Sequence, residues 1–295
     1  MAWPGRPGRP ALNVAWLFLA PSLCILAVFT LWPIAQALWI SLHDWSSMSQ
    51  QRPFTGLDNY RELWTDPRFW NALRNTIVYT LGTVPIQIAL ALGLAVALDS
   101  RLRGRAFLRG AYFIPVISSM AIMAIVWAFL FDPDIGAVTS WLSALGMPRV
   151  AWLREPGTAM LAVILVGIWK TLGFNTVILL AGLQTIPADQ YEAASIDGAG
   201  GWARFLHITL PGLRQTLLFV TVISVIASLQ VFDQVYVMTR GGPLYGTETL
   251  VSYLYYQGFT LFRMGYASAI SWILFAGVVV VSVVQLRFFR YQEVD

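Results

Sequence analysis

Six stretches of this 295-residue chain are each long and apolar enough to cross a lipid bilayer, running roughly over 11–40, 73–98, 110–131, 157–183, 216–238 and 264–286. A spanning helix needs about 20 mostly apolar residues, because only a closed hydrogen-bonded backbone survives in hydrocarbon. Composition agrees: 57% of residues are hydrophobic and 12% charged, where a soluble domain carries about 25% charge. That excludes a soluble globular protein, and 41 aromatic residues exclude a disordered one. The pattern predicts an all-α, polytopic membrane protein with six transmembrane helices. The first stretch is interrupted by Pro21 and Pro33, and its Ala35-Gln36-Ala37 has the look of a signal-peptidase site. At 30 residues it is longer than a secretory apolar region of about 7–15 residues, so it is read as a retained span.

Six spans put both termini on one side, and the arginines decide which. The net charge of +4 is therefore read against topology, not as a nucleic-acid surface. With cytoplasmic termini, the inner segments hold Arg6, Arg9, Arg101, Arg103, Arg105, Arg109, Arg204, Arg214, Arg287 and Arg290; the outer loops hold Arg52, Arg61, Arg68, Arg74, Arg149, Arg154, Arg240 and Arg263. The short loop Asp99 to Arg109, with four arginines in 11 residues, carries the orienting signal. Both termini are read as cytoplasmic. Trp45, Phe54, Tyr60, Trp64, Phe69, Trp70 and Trp152 crowd the outer segments, as an interfacial aromatic belt does. In the second span Ala89, Gly93 and Ala97 recur every four residues, which predicts a face packed inside the bundle. The single cysteine, Cys24, lies in an apolar run and forms no intramolecular disulfide.

Catalytic signatures are missing. The sequence holds no P-loop, no H-E-x-x-H, no G-x-S-x-G and no cysteine pair at metal-ligand spacing. His43 and His207 are expected on opposite sides of the membrane. An intramembrane enzyme is disfavoured for want of a nucleophile and base. A proton-driven transporter needs a titratable relay, and within the spans only Lys170 and Asp233 ionise. A charge there normally faces a partner or a watery cavity. On the fourth span Lys170, Thr171, Phe174 and Asn175 cluster on one face, a plausible lining for a polar solute. At about 1.5 Å per residue Lys170 and Asp233 lie at depths of about 20 and 27 Å from the inner ends of their spans. Two roles fit equally: an ion pair holding the helices, or contacts to solute. On the fifth span Gln230, Asp233 and Gln234 share one side, and Ser224 and Ser228 another.

Residues 184–215, between spans four and five, form the most informative segment. Pro187 suits a helix start and Asp189 and Glu192 favour its first turns, predicting a short helix Ala188 to Ile196. Gly198, Gly200 and Gly201 then break it. A second short helix, Trp202 to Ile208, is expected to end before Pro211. The product is a small knob, suited either to docking or to interfacial re-entry.

Glu192-Ala193-Ala194, Asp197-Gly198-Ala199, Phe205 and Ile208-Thr209-Leu210-Pro211 resemble the EAA loop of binding-protein-dependent ABC importers. The resemblance extends over nearly the whole chain to the carbohydrate branch of that family, the maltose and glycerol-phosphate type permeases. Trp32-Pro33, Phe54-Thr55-Gly56-Leu57-Asp58-Asn59-Tyr60, Phe113-Ile114-Pro115, Trp169 before Gly182-Leu183, and Gly241-Gly242-Pro243 support it.

The resemblance implies a single transmembrane permease domain over 1–295, non-catalytic, in the prokaryotic cytoplasmic membrane, with 184–215 docking on a cytoplasmic ATPase. It assigns that coupling to Glu192, Ala193, Ala194, Asp197, Gly198 and Ala199. It implies a second permease subunit, two ATPase subunits that bind ATP and Mg in place of any cofactor in this chain, and an extracytoplasmic solute-binding protein. No nucleic acid is implied. Positions matching the pathway helices are Met120, Lys170, Thr171, Phe174, Asn175, Ser228, Gln230, Val231 and Asp233. The implied cargo is a sugar, oligosaccharide or related polyol or glycerophosphodiester. A charged pair departs from the uncharged linings expected for neutral sugars, and Lys170 tilts the expectation slightly toward a solute with an anionic group.

Overall fold

The computed structural model describes residues 10–99 and 105–291. Arg6, Arg9, Arg101 and Arg103, used above for orientation, lie outside the described residues, as do the side chains of Arg105, Arg109 and Arg290. Among the described residues the backbone is helical, with two isolated bridges and no strand. The helices are α1 (Pro10–Leu26), α2 (Trp32–Ser41), α3 (Asp58–Thr65), α4 (Pro67–Asp99), α5 (Arg105–Ile117), α6 (Met120–Leu130), α7 (Ala137–Ala144) and α8 (Pro156–Leu183). They continue as α9 (Ala188–Ile196), α10 (Gly201–Arg204), α11 (Leu210–Gly212), α12 (Arg214–Leu229), α13 (Asp233–Met238), α14 (Leu250–Tyr255) and α15 (Met264–Tyr291). Three π-helical turns interleave, at Ala27–Leu31, Phe205–Thr209 and Tyr256–Thr260. The chain forms two compact units, Met1–Trp64 with Gln257–Ile273 and Thr65–Tyr256 with Leu274–Asp295.

In the first unit α1, its π turn and α2 form one helical run, so neither Pro21 nor Pro33 ends the span. A proline ring collides with the carbonyl four residues earlier; for Pro33 that carbonyl, of Phe29, sits in the widened π turn. Beyond α2, Asn59 Nδ2 donates to the carbonyls of Ser41 (2.8 Å) and His43 (3.1 Å). Arg263 pairs with Glu62 at 2.6 Å.

The second unit is a helical bundle built on α4 and α8, which run side by side in parallel. Tyr79 packs with Met160, Val163 and Ile164 at one end, and Ala91, Ala95 and Leu98 pack with Leu179, Leu180 and Leu183 at the other. The α12–α13 segment runs antiparallel, Val220 joining the second cluster and Val231 and Val235 the first. The α5–α6 segment is also antiparallel to α8, with Ala124 and Phe131 against Ala162 and Val166. Lipid tails are as apolar as these side chains, so close backbone approach, more than burial, holds such helices. Glycines of α8 supply it: a Cβ at Gly167, Gly173 or Gly182 would collide with the Tyr79 hydroxyl, the Tyr112 carbonyl or Thr216 Oγ1.

The helices depart from the expected pattern in four places. Five helices among the described residues are long and apolar enough to cross a bilayer: Trp16–Ser41, Pro67–Asp99, Pro156–Leu183, Arg214–Met238 and Met264–Arg287. The stretch at 110–131 is two shorter helices, α5 and α6, separated at Ser118 and Ser119, whose extended backbone (φ −62°, ψ 132°) begins α6. The fifth span is likewise interrupted, between Leu229 and Asp233. Ala89, Gly93 and Ala97 are exposed among the described residues, and Ala91 and Ala95 form the buried stripe of α4. Finally, the helix after the glycines does not stop before Pro211. The residue four before this proline, His207, lies in the π turn Phe205–Thr209, which lets α10 lead through α11 into α12.

Gly173→Ala should therefore destabilise the protein by about 1–3 kcal/mol, since its Cβ meets a backbone carbonyl that has no rotamer to change. Thermal unfolding of the detergent-solubilised chain checks this; an unchanged melting temperature would mean that α5 and α8 do not approach so closely.

Candidate functional site

The break at 230–232 lines a cavity of about 320 Å³ in the second unit, which Met120, the first residue of α6, also lines. Small-molecule sites typically enclose about 300–1,000 Å³. All nine residues picked from the sequence as pathway positions line it: Met120, Lys170, Thr171, Phe174, Asn175, Ser228, Gln230, Val231 and Asp233. Both sides of the fifth span take part, because the break at 230–232 turns the chain so that Ser224 and Gln234 reach the same space.

Lys170 and Asp233 form no ion pair. The Lys170 ammonium donates to the carbonyls of Pro115 (2.5 Å), Val116 (3.2 Å) and Ser118 (2.5 Å). These carbonyls lie where α5 ends, and the last carbonyls of a helix lack the usual i+4 donor; Pro115 O also accepts from the Ser118 N–H at 3.3 Å. The cation also sits at the negative end of the α5 dipole. The side chain of Asp233, the first residue of α13, has no hydrogen bond or salt bridge among the described residues, and the residue is exposed on the cavity lining.

The second break is secured from elsewhere. Thr249 Oγ1 donates to the carbonyl of Val231 at 3.0 Å, and the backbone N–H of Leu250 donates to Thr76 Oγ1 of α4 at 2.9 Å. Thr249 is held in place by its neighbour Glu248, 3% exposed, which receives a bidentate pair from Arg68 Nε (2.8 Å) and Nη2 (2.7 Å). The Arg68 guanidinium lies over the rings of Tyr245 and Tyr256, 4.0 and 4.3 Å from their centroids. Asn71 and Asn75 each donate to the Tyr245 carbonyl at 2.8 Å. The loop 239–249, with its cis Gly242–Pro243 bond, is thereby fixed to the start of α4.

Sequence reading missed the contribution of α4. Tyr79, Thr83 and Gln87 line the cavity; Tyr79 OH accepts from Gln234 Nε2, and Gln87 Oε1 lies against the Thr171 hydroxyl. The signal was present: Thr76, Thr80, Thr83 and Gln87 form a polar stripe at helical spacing in an apolar span.

The segment 184–213 forms a second candidate surface. Helix α9 has the predicted bounds and buries none of its residues. Glu192, Ala193, Asp197 and Gly198 are exposed, Ala194 and Ala199 half-buried. Ile196 and Trp202, which sequence reading did not select, are 87% and 72% exposed. Gly198 has φ +79°, left-handed, with open space around it. The base is tied down: Tyr191 OH and Thr209 Oγ1 are 2.9 Å apart, Arg204 donates to Ser195 Oγ at 3.0 Å, and Ile186 packs beside Leu213, Leu180 and Leu183.

Residues 87–293 match the model of a family described as the binding-protein-dependent transport system inner membrane component. The chain belongs to this family. As a member, it is 38% identical over 276 residues to the lactose transport system permease protein LacF of Rhizobium radiobacter, covering 92% of each chain. It is 33% identical over 288 residues to the sn-glycerol-3-phosphate transport system permease protein UgpA of Yersinia pseudotuberculosis, covering 96% of this chain and 97% of the relative. The fold is that of a chain in the crystal structure of a bacterial ABC transporter involved in alginate import, with a TM-score of 0.83, 23% identity, and coverage of 95% and 97%. The interrupted helices, the cavity and the exposed knob thus belong to a membrane component of a transport system.

Removing Arg68 leaves Glu248 buried without its cation, at a cost of about 3–5 kcal/mol. Arg68→Met should therefore lower the hydrogen-exchange protection of 240–250; unchanged protection would show the loop to be held by other contacts.

Proposed function

We propose that this chain is one permease subunit of an ATP-driven importer that carries a sugar, oligosaccharide or related polyol or glycerophosphodiester across the cytoplasmic membrane. In this reading the chain crosses six times with both termini in the cytoplasm, the third crossing being the two half-helices α5 and α6. A second permease completes the pathway, two ATPase subunits bind ATP and Mg on the cytoplasmic side, and an extracytoplasmic binding protein delivers solute to the loop ends of the bundle. Relatives named for lactose and sn-glycerol-3-phosphate transport support the cargo class.

The observation that carries the reading is the build of the knob. Its exposed residues, Glu192, Ala193, Ile196, Asp197 and Trp202, offer a mixed apolar and acidic surface to a partner. Its base is seated between the ends of α8 and α12, through Ile186, Leu213, Leu180 and Leu183. Those same two helices line the cavity through Lys170, Thr171, Asn175, Ser224 and Ser228. A push on α9 by ATPases that close on ATP is therefore delivered to the helices around the solute. Ala194 and Ala199 keep the knob slim, and Gly198 makes the elbow.

Gly198→Val places a branched side chain at φ +79°, costing about 1–2 kcal/mol of local strain, and adds bulk to the docking surface. Glu192→Lys reverses its charge. Both are expected to reduce ATP-dependent uptake about tenfold or to reduce ATPase copurification, with membrane insertion intact. Normal uptake and copurification in both variants would refute the coupling role.

A further inference from the structure

The cavity's charges show what it accepts, and they reverse the expectation drawn from Lys170. We infer that this half of the pathway is built for an uncharged polyhydroxy solute and discriminates against phosphate, carboxylate or sulfonate groups; the inference rests on the importer reading above.

Among the residues that line the cavity, Lys170 and Asp233 carry the formal charges. An ammonium has three N–H donors and no more. Those of Lys170 meet three carbonyls, of Pro115, Val116 and Ser118. An anion could engage this cation only by drawing it off the end of α5; Pro115 O would keep its bond from the Ser118 N–H at 3.3 Å, while the Val116 and Ser118 carbonyls would lose the ammonium. The positive charge is thus committed to the helix end, and the carbonyl dipoles offset its field.

Asp233 is the opposite case. Its carboxylate has no hydrogen bond or ion pair among the described residues and lines the cavity exposed. A carboxylate only accepts, with two oxygens side by side. Adjacent hydroxyls of a sugar or polyol match that pair, whereas an anionic group meets repulsion that is little screened in a cavity of low dielectric. The neutral amide of Gln230, exposed on the cavity lining, supplies a further partner, while Asn175 and Ser228 are buried and already bonded to Ser224 and Val225. The Phe174 ring, 44% exposed on the cavity lining, offers apolar surface to the C–H side of a pyranose.

The test uses the assembled importer in proteoliposomes with ATP on the ATPase side. Its solute-binding protein is offered neutral di- and trisaccharides and polyols, and separately sn-glycerol 3-phosphate and a uronate disaccharide. Wild type should take up a neutral solute and no anionic one. Asp233→Asn should raise the KM for that solute about tenfold, the loss of a hydrogen bond to a charged acceptor, without lowering the melting temperature. Lys170→Gln should lower the melting temperature of the complex. Uptake of an anionic solute, an unchanged KM in Asp233→Asn, or a raised KM in Lys170→Gln at unchanged melting temperature would overturn the inference while leaving the importer reading in place. ATP-dependent uptake of none of these solutes would overturn the importer reading, and the inference with it.

Discussion

Inside a bilayer a helix cannot stop without something to receive its free carbonyls, and in this protein that something is the ammonium of Lys170, the only lysine in the chain. Its three bonds to Pro115, Val116 and Ser118 let the third apolar stretch end as α5 and restart as α6 midway. The chain thereby gains an irregular wall beside α8, and irregular backbone at membrane depth is tolerated where it lines a cavity.

The interruption at 230–232 depends on a longer chain of contacts. Thr249 Oγ1 donates to the Val231 carbonyl, Thr76 Oγ1 accepts from the Leu250 N–H, and the bidentate Arg68–Glu248 pair holds the loop from which Thr249 projects. The loop end of the bundle and the middle of the cavity are thus one mechanical piece. At the other end, Ile186 and Leu213 seat the α9 knob against the same helices. The cavity is thus fixed to the loop at one end and joined through α8 and α12 to the knob at the other.

The five long apolar helices, the bounds of α9 and the cavity lining of α8 were legible because each follows from local pattern: apolar length, a proline and acidic start, or polar residues on one helix face. The breaks were not, because their causes lie far along the chain. Pro85 stands inside an unbroken α4, so a proline such as Pro115 is not a sufficient signal; the chain parts there because Lys170, 55 residues away, receives the carbonyls. At 230–232 there is no proline or glycine at all, and the stabilising Thr249 comes from another element. The packed face of α4 was misread because Ala89, Ala91, Gly93, Ala95 and Ala97 alternate along the helix, so small residues stand on both faces. Their spacing cannot say which stripe, 89-93-97 or 91-95, meets a neighbour. Lys170 was read as half of an ion pair or a solute contact because sequence shows a charge but not the orphan carbonyls that claim it.

The most direct measurement is a structure of the assembled, solute-loaded importer at a resolution that shows the Lys170 side chain. The account predicts that Nζ stays within hydrogen-bond distance of the carbonyls of Pro115, Val116 and Ser118, with solute hydroxyls on the Asp233 carboxylate. A solute bound to the Lys170 ammonium, with α5 and α6 joined into one unbroken helix, would contradict it.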